Sequence, residues 1–391
     1  MLPSTCEINL KEINSPFFIY KPENLKKKVE YFLKNFPGEV VYAVKTNPSE
    51  FILKKIYELG LKSFDVASIN EVKLIKTLFK NAQIFFMNPV KSRVAIKKAY
   101  FNYGVRNFSL DTDDELEKIV KETNFANDLN LHLRISVSNN FAKINLSKKF
   151  GVSGYQAKEL LKKTKNYAKK IGVSFHLGSQ CMNPNAYKLA IKKTALLIQK
   201  SKLKIDFFNI GGGFPSEYPN MKPQPLTKYF NVISKEFSKY FKNNSKIILL
   251  SEPGRALVSN SMSLILRVNL KKKDTLYVND GIHGYLHNAG THGFIYPAKI
   301  FRKENKSKLC LFSFYGPTCD ANDFIKGPFL LPNSISEGDF IELDEMGAYS
   351  VTLKNNFNGF NSDPKVFVKK ESDYKAEDSN SILYNKIHSN R

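Results

Sequence analysis

A lysine at the end of an early apolar run is the first residue of this sequence that suggests chemistry. Lys45 follows the β-branched and aromatic residues of VVYAVKTNP. The end of a buried strand can keep an amine deprotonated and in position, which is what forming a Schiff base with an aldehyde requires. Most lysines lie at the surface, and Lys45 taken alone is better explained as one of them. The prediction of a covalent cofactor site therefore depends on residues further along the chain.

Three later segments carry groups that suit a pyridine ring bearing a phosphate. Glu252 and Arg255 in SEPGRALV can keep a ring nitrogen protonated and bind a phosphate, respectively. His176 in FHLGSQ can lie against the ring, with Ser179 donating to the phosphate. The backbone of Gly211–Gly213 in NIGGGFP can surround a phosphate. Together with the lysine these residues predict a pyridoxal phosphate enzyme, although each segment alone also fits a surface ion pair, a structural histidine or a tight turn.

A cysteine and several acids follow in the last third of the chain. Cys319 and Asp320 lie in YGPTCDANDF with Asp323, and Asp280 lies in YVNDG. A thiol can deliver a proton to carbon, and carboxylates can pair with a substrate ammonium. By default both segments are turns with Asx caps. Two acids in separate loops are nevertheless what a substrate with a second amine needs.

The histidines and cysteines do not predict a metal site. The segment GIHGYLHNAGTHG contains three histidines, His283, His287 and His292. It lacks helical regularity, and no carboxylate is placed to support the imidazoles. The four cysteines have no C-x-x-C spacing, which argues against a zinc site or a disulfide framework and fits a reducing compartment.

The candidate residues fall on or at the ends of predicted strands. Between residues 40 and 253 short β-branched runs alternate with amphipathic stretches, the pattern of parallel α/β structure. The predicted strands are 40–46, 63–68, 83–90, 107–112, 129–136, 173–179, 206–212 and 246–253. Eight such units favour a (β/α)8 TIM barrel, whose chemistry lies at the C-terminal ends of its strands. Lys45, Asp65, Arg134, His176 and Glu252 are placed in this way.

After residue 258 the pattern changes to short strand-like runs separated by Gly, Pro and Asn, such as SLILRVNL, TLYVND, KLCLFSFYG, DFIELDEMGAYS and KVFVK. We interpret this part as a β-sandwich or β-barrel domain, to which the N-terminal PFFIY adds a strand. The predicted domains are a cofactor-binding barrel over 24–258 and a discontinuous β domain over 1–23 and 259–391 that completes the active site.

The composition of the chain limits which binding partners we expect. The 391 residues include 42% hydrophobic residues, enough for two domains with sizeable cores. The formal charge of +24 raises nucleic acid as a partner, but the lysines are scattered opposite apolar stripes of predicted helices, so we expect no nucleic-acid binding. No run is apolar and long enough to span a bilayer, and the N-terminus lacks a signal-peptide pattern, so we expect a cytoplasmic protein without a membrane partner.

Eight motifs occur in one order over nearly the whole chain: YAVKTN, FDVAS, HLGSQ, GGGFP, EPGR, YVNDG, YGPTCDxxD and DEMGAY. In this order they resemble the type III, or alanine-racemase-fold, pyridoxal phosphate decarboxylases, and among these the ornithine decarboxylases. The resemblance implies a TIM barrel followed by a β domain. It also implies a homodimer with shared active sites, in which the cysteine loop reaches the partner's lysine.

The resemblance further implies a role for each matching residue. Lys45 is the Schiff-base lysine, His176 stacks on the ring, and Glu252 pairs with the pyridinium. The implied phosphate-binding set is Ser179, Gly212, Gly213, Arg255 and Tyr349. Asp65 and Arg134 support the lysine and the ring. Cys319 protonates the α-carbon after carbon dioxide leaves, and the substrate-binding acids are Asp280 and Asp320, with Asp323 in the same loop.

The implied reaction is decarboxylation of L-ornithine to putrescine, with lysine to cadaverine as a second reaction. One methylene separates these substrates, and a pocket distinguishes a methylene by only about 1–3 kcal/mol. Two residues depart from the ornithine decarboxylase pattern. Gln180 makes the HLGSQ motif resemble that of diaminopimelate decarboxylases, and His283 lies where a tyrosine or phenylalanine is expected. Decarboxylases of arginine, diaminopimelate or carboxynorspermidine are alternatives, and so is a non-catalytic regulatory paralogue. A racemase of the same fold would need a tyrosine base in the β domain, whereas the CDxxD loop is the decarboxylase pattern.

Overall fold

The computed structural model describes residues 2–144, 149–242, 246–301, 307–360 and 363–370. These residues form two compact units. The barrel unit comprises Lys28–Glu217 and Met221–Leu257. The β unit comprises the described residues up to Lys27, the short segment Tyr218–Asn220, and the described residues from Val258 onward. The sequence analysis did not predict that Tyr218–Asn220 belong to the β unit.

Eight parallel strands close into a barrel. In order around it they are Phe207–Asn209, Ile248–Ser251, Glu39–Ala43, Ser63–Val66, Gln83–Phe86, Asn107–Leu110, Asn130–Arg134 and Lys170–Ser174. Every one of them overlaps a predicted strand, and neighbours pair in parallel register, as Tyr42 does with Phe64. The predicted (β/α)8 barrel is confirmed.

Several strands end earlier than predicted. The first ends at Ala43, and Val44–Thr46 form a 3-10 turn that carries Lys45. The strand predicted over 173–179 lies at Lys170–Ser174, and the chain turns at Gly178, whose φ of 91° suits a residue without a Cβ. The candidate residues of these segments therefore lie just beyond the strands, in the connections that build barrel sites.

Helices connect the strands and bury one apolar face each. They are Pro22–Asn35, Glu50–Glu58, Ile69–Leu78, Arg93–Tyr103, Asp113–Glu122, Gly154–Lys165, Asn185–Ser201 and Leu226–Phe241, with a short helix at Arg255–Val258. Ser68, Ser92 and Thr112 cap three of them, each accepting a hydrogen bond from the backbone N–H three residues later, at 3.2, 3.2 and 3.1 Å. These caps fix where the three helices begin.

One histidine lies in the barrel core. His132 is fully buried between the rings of Phe85 and Phe207. Burial lowers the pKa of His132 to about 3, so the imidazole is neutral. Gly172 faces it, and a Cβ there would stand 2.4 Å from Nδ1 of His132. His132 and Gly172 therefore have a packing role in the core and not a catalytic one.

The β unit contains a mixed sheet of eight strands and a helix at His287–His292. The main path runs Ala298–Ile300, Phe340–Leu343, Met262–Lys272, Thr275–Val278, Leu309–Tyr315, Phe324–Pro332. Phe17–Tyr20 pairs antiparallel with Met262–Lys272 and parallel with Lys365–Val368. A separate ribbon in the barrel unit joins Ala142–Ile144 to Ser179–Cys181.

The sequence patterns were less accurate in the β unit. The run DFIELDEMGAYS is a strand only over Phe340–Leu343, and the chain then turns, with Tyr349 at a φ of 59°. Phe324–Pro332 was not predicted because Gly327 and Pro328 argue against a strand interior. It lies at the end of the sheet path, where a proline costs no ladder hydrogen bond. No described helix is long and apolar enough to cross a membrane.

Candidate active site

A cavity of about 210 Å³ opens in the barrel unit beside the C-terminal ends of the strands. Its lining includes the five predicted strand-end residues Lys45, Asp65, Arg134, His176 and Glu252. Ala67, Met87, Asn88, Pro89, Lys149 and Phe150 supply the rest of the wall. The tertiary structure thus brings together residues that are more than two hundred positions apart in sequence.

The lysine is held by a buried acid from the next strand. Nζ of Lys45 donates to Oδ2 of Asp65 across 2.7 Å. The Asp65 side chain is 3% exposed, whereas that of Lys45 is 39% exposed. The acid is therefore part of the wall and the amine is the accessible member of the pair, as a covalent cofactor site requires.

Glu252 is a buried carboxyl with a raised pKa. Burial raises the pKa of Glu252 to about 7, and the charge of Asp65 adds to this, although Lys45, Arg134 and a hydrogen bond from Asn209 oppose the rise. Nδ2 of Asn209 donates to Oε1 of Glu252 at 2.7 Å. A buried carboxyl in this state gains much from a cationic ring partner, since the partner offsets the cost of desolvating its charge.

His176 is a neutral imidazole with a set tautomer. Burial lowers its pKa well below the usual range, and the cations Arg134 and Lys45 lower it further. Nδ1 of His176 accepts the backbone N–H of Gly178 at 3.0 Å, so the ring proton is on Nε2. A neutral ring that lines the cavity suits stacking on an aromatic cofactor.

Arg134 lies in the wall with only 8% of its surface exposed. Burial lowers the pKa of Arg134, while Glu252, Asp65 and Asp111 raise it. A guanidinium nevertheless keeps its charge in proteins. Arg134 therefore places a permanent positive charge near the two buried acids of the site, Asp65 and Glu252.

Four of the five proposed phosphate residues, Ser179, Gly212, Gly213 and Arg255, follow the sixth to eighth barrel strands, whereas Tyr349 belongs to the β unit. Nη2 of Arg255 donates to Oγ of Ser179 at 3.2 Å. A Cβ on Gly212 would stand 2.5 Å from the carbonyl oxygen of Glu252 and 3.2 Å from Nε2 of His176, so no larger residue fits there. Gly213 has a φ of 103°, which also favours glycine.

Asn209 is the main site residue that the sequence analysis missed. Its amide holds Glu252, and its Oδ1 accepts the backbone N–H of Gly211 at 2.8 Å. It therefore joins the acid to the glycine loop. A fully buried asparagine inside the apolar run DFFNIGG was the signal that could have revealed it, because a buried amide needs partners.

Gln180, the first departure from the expected pattern, supports the loop after the glycines. Its Nε2 donates to the carbonyl oxygen of Ser216 at 2.5 Å, and its Oε1 accepts the N–H of Ser216 at 3.0 Å. The side chain is fully buried. Its contacts are structural and do not reach the cavity lining.

The predicted substrate acids lie in the β unit, and two of them are buried. Asp323 is 1% exposed and accepts N–H groups of Ile282 and Thr318 at 2.7 and 3.2 Å. Asp280 is 5% exposed and accepts the N–H of Tyr285 at 2.9 Å. Burial, followed by the charge of Asp323, raises the pKa of Asp280 well above its usual range. A bound ammonium would favour the charged form of Asp280.

Asp320 and Cys319 are more accessible. Oδ2 of Asp320 lies 2.8 Å from Nε2 of His283, and the pair is about one quarter exposed. Cys319 is exposed, and its backbone N–H donates to Oδ1 of Asn358 at 3.0 Å. Among the described residues no group of His, Cys, Asp and Glu has the arrangement of a metal site.

The residues of the barrel unit fit pyridoxal phosphate. An accessible amine, a carboxyl that gains from a cationic partner and a neutral imidazole line one cavity, and Gly212 leaves a cradle that a Cβ would fill. The fold and this cavity are those of a barrel that can hold an aldehyde cofactor next to an accessible lysine.

The family model "Pyridoxal-dependent decarboxylase, pyridoxal binding domain" matches residues 23–259. The chain therefore belongs to the pyridoxal-dependent decarboxylases. The predicted family, the fold class and pyridoxal phosphate as the cofactor are confirmed.

Curated relatives and solved structures agree with this assignment. The chain is 31% identical to antizyme inhibitor 2 of Xenopus laevis, over 95% of this chain and 84% of that protein. It is 30% identical to the lysine/ornithine decarboxylase of Selenomonas ruminantium, over 94% and 93%. The structure of the lysine/ornithine decarboxylase from Vibrio vulnificus complexed with putrescine matches with a TM-score of 0.80 at 26% identity, covering 93% of this chain and 96% of that chain.

Proposed function

We propose that this protein decarboxylates L-ornithine to putrescine and carbon dioxide, with lysine to cadaverine as a second reaction. The Lys45–Asp65 pair beside Glu252 in one cavity carries the proposal. The relatives named lysine/ornithine decarboxylase support this substrate class. Putrescine is a polyamine, so the reaction would supply polyamine synthesis.

In the proposed reaction each residue has a separate task. Bound pyridoxal phosphate supplies an electron sink for the electrons that remain when the α-carboxylate leaves. Glu252 keeps a proton on the pyridine nitrogen, and Asn209 fixes the carboxyl in that orientation. Lys45 would hold the cofactor through its amine, and Asp65 would position that amine. Cys319 gives its thiol proton to the α-carbon, which completes the diamine.

The β unit would recognise the distal amine. Asp320 and Asp280 provide carboxyl groups on two loops, and both would pair with a substrate ammonium. A substrate with a distal carboxylate would be repelled by the charged carboxylate of Asp320, which disfavours diaminopimelate. We further propose a homodimer with shared active sites, in which Cys319 and the two acids of one subunit serve the lysine site of its partner.

A non-catalytic role is the second candidate. The similarity to antizyme inhibitor 2 favours it, because that relative is named for regulation rather than for catalysis. The presence of both Lys45 and Cys319 favours catalysis instead, since a regulatory protein needs neither group.

The test is product analysis with the purified protein loaded with pyridoxal phosphate. Ornithine, lysine, arginine and diaminopimelate are supplied separately, and the amine products are identified by mass spectrometry. Putrescine as the main product supports the proposal, and the yield of cadaverine measures the selectivity. A protein that binds the cofactor covalently but forms no amine from any of the four would contradict the proposal and favour the regulatory role or carboxynorspermidine.

A further inference from the structure

His283 is the second departure from the expected pattern, and it makes a specific contact with a proposed substrate acid. Nε2 of His283 lies 2.8 Å from Oδ2 of Asp320. The two residues are 37 positions apart and belong to different loops of the β unit. A tyrosine or phenylalanine at this position would lack the imidazole nitrogen that makes the contact.

The surroundings of His283 set the direction of this hydrogen bond. Oδ1 of Asn355 accepts the backbone N–H of Phe357 at 2.9 Å, which orients the amide so that its Nδ2 donates to Nδ1 of His283 at 3.1 Å. Since Nδ1 is an acceptor, the ring proton is on Nε2 and points at Asp320. The His283 ring also packs against Phe357, with centroids 4.7 Å apart.

The other oxygen of Asp320 is held from its own loop. Oδ1 accepts the backbone N–H of Asn322 at 2.9 Å and the side-chain Nδ2 of Asn322 at 3.1 Å. These bonds and the bond from His283 lower the pKa of Asp320, the backbone bond most of all. Asp320 is thus a charged carboxylate with both oxygens fixed, and each carboxylate oxygen has two acceptor sites, so Oδ2 can still accept a substrate ammonium.

The His283–Asp320 contact contributes little to the folding stability of the protein. The side chains are 22% and 25% exposed, and partly exposed ion pairs contribute little to folding. Neither partner needs the other to avoid a buried unsatisfied charge. Fixing the orientation of a binding group, in contrast, increases affinity by reducing the ordering that a ligand must impose.

We propose that His283 is a positioning residue for the distal amine of the substrate, because its Nε2–H holds the Asp320 carboxylate in the orientation that binds an ammonium. The inference rests on the proposed function and extends it, since it assigns a role in substrate recognition to a residue that departs from the expected pattern. We therefore expect the contribution of His283 to diamine affinity to depend entirely on the presence of the Asp320 carboxylate.

Two variants separate the hydrogen bond from the packing. His283→Phe keeps an aromatic ring against Phe357 and removes the donor, and His283→Gln keeps a donor near the position of Nε2. The dissociation constants of putrescine and cadaverine are measured by isothermal titration calorimetry on the protein loaded with pyridoxal phosphate. We expect about fivefold weaker diamine binding in His283→Phe, the effect of one hydrogen bond, and recovery in His283→Gln.

Asp320→Asn completes a double-mutant cycle, in which adding His283→Phe should produce no further loss. Unchanged affinity in His283→Phe, no recovery in His283→Gln, or an equal loss in the Asp320→Asn background would each overturn the inference. A wild-type protein that binds no diamine would also overturn it. Failure of the proposed function looks different, because diamine binding would persist while no amino acid is decarboxylated.

Discussion

Nζ of Lys45 and Oδ2 of Asp65 are 2.7 Å apart, which joins the turn after the first barrel strand to the second barrel strand. The two residues are only 20 positions apart, yet the contact depends on parallel pairing of the strands, where Ala43 lies opposite Asp65. The acid orients the amine toward the cavity without covering it.

Lys45→Ala should abolish covalent attachment of pyridoxal phosphate and all turnover, because no other lysine is held by a buried acid in this cavity among the described residues. Reduction with borohydride followed by peptide mass spectrometry measures the attachment. Lys54→Ala, on an exposed helix position, is the matched control and should keep both properties. Cofactor mass retained on the Lys45→Ala protein would remove Lys45 from its assigned role.

Glu252→Gln should lower kcat by about 100-fold or more, the effect of removing an electrostatic group from a water-excluded site. It should also change how the stability of the cofactor-free protein depends on pH. Because the pKa of Glu252 is raised to about 7 in the folded state, the wild type binds an extra proton when folded and loses stability as the pH rises from about 4.5 to 7.

The amide has no proton to lose, so Glu252→Gln should reduce this decline. Urea unfolding of both proteins without cofactor, at several pH values between 4.5 and 8, measures the effect. Parallel stability curves over this range would show that Glu252 does not titrate as inferred.

Cys319→Ala should leave cofactor loading intact while slowing turnover about 100-fold, the typical contribution of a group that transfers a proton. If another group delivers the proton in place of the thiol, the identity of the product should also change. Steady-state kinetics and mass spectrometry of the products measure both effects. Cys310→Ala, at a partly buried strand position, is the control. A Cys319→Ala enzyme with the wild-type rate and product would exclude the thiol from the mechanism.

Glu342→Gln should destabilise the protein by about 2 kcal/mol at pH 7, because it weakens a buried ion pair with Lys21, whose Nζ is 3.2 Å from Oε1, while Lys21 keeps Asp344 as a second partner at 3.0 Å. Burial alone would raise the pKa of Glu342, but Lys21 and Lys299 lower it to about 2. The stabilisation by this acid is therefore present above about pH 4.5 and is lost as the pH falls toward 2.

Urea unfolding at pH 7 and pH 3 tests this prediction. The difference between wild type and Glu342→Gln should be smaller at pH 3, because the wild-type acid is then losing its contribution. Glu58→Gln, at a mostly exposed position, should show little difference at either pH. An equal difference at both pH values for Glu342→Gln would contradict the assigned titration.

The barrel could be predicted because strand and helix periodicities are local properties of a sequence. Each barrel strand overlaps a predicted one, and the strand-end residues do line a common cavity. Strand boundaries were less accurate, as at Val44–Thr46, because Val44 and Thr46 are β-branched residues, which are also typical of strands. The β unit was harder still, since a sheet made of distant segments has no repeating local pattern.

The sequence by itself determined which chemical groups the protein has and their order along the chain, which was enough to indicate the family, the cofactor and the strand ends that carry Lys45, His176 and Glu252. Only the tertiary structure decided which groups touch. Asn209 meets Glu252 across 43 positions and His283 meets Asp320 across 37, because strand register and loop packing set these distances. Burial, which raises the pKa of Glu252 and lowers that of His176, is likewise a property of the folded chain, since each shift depends on the water that the surrounding elements exclude.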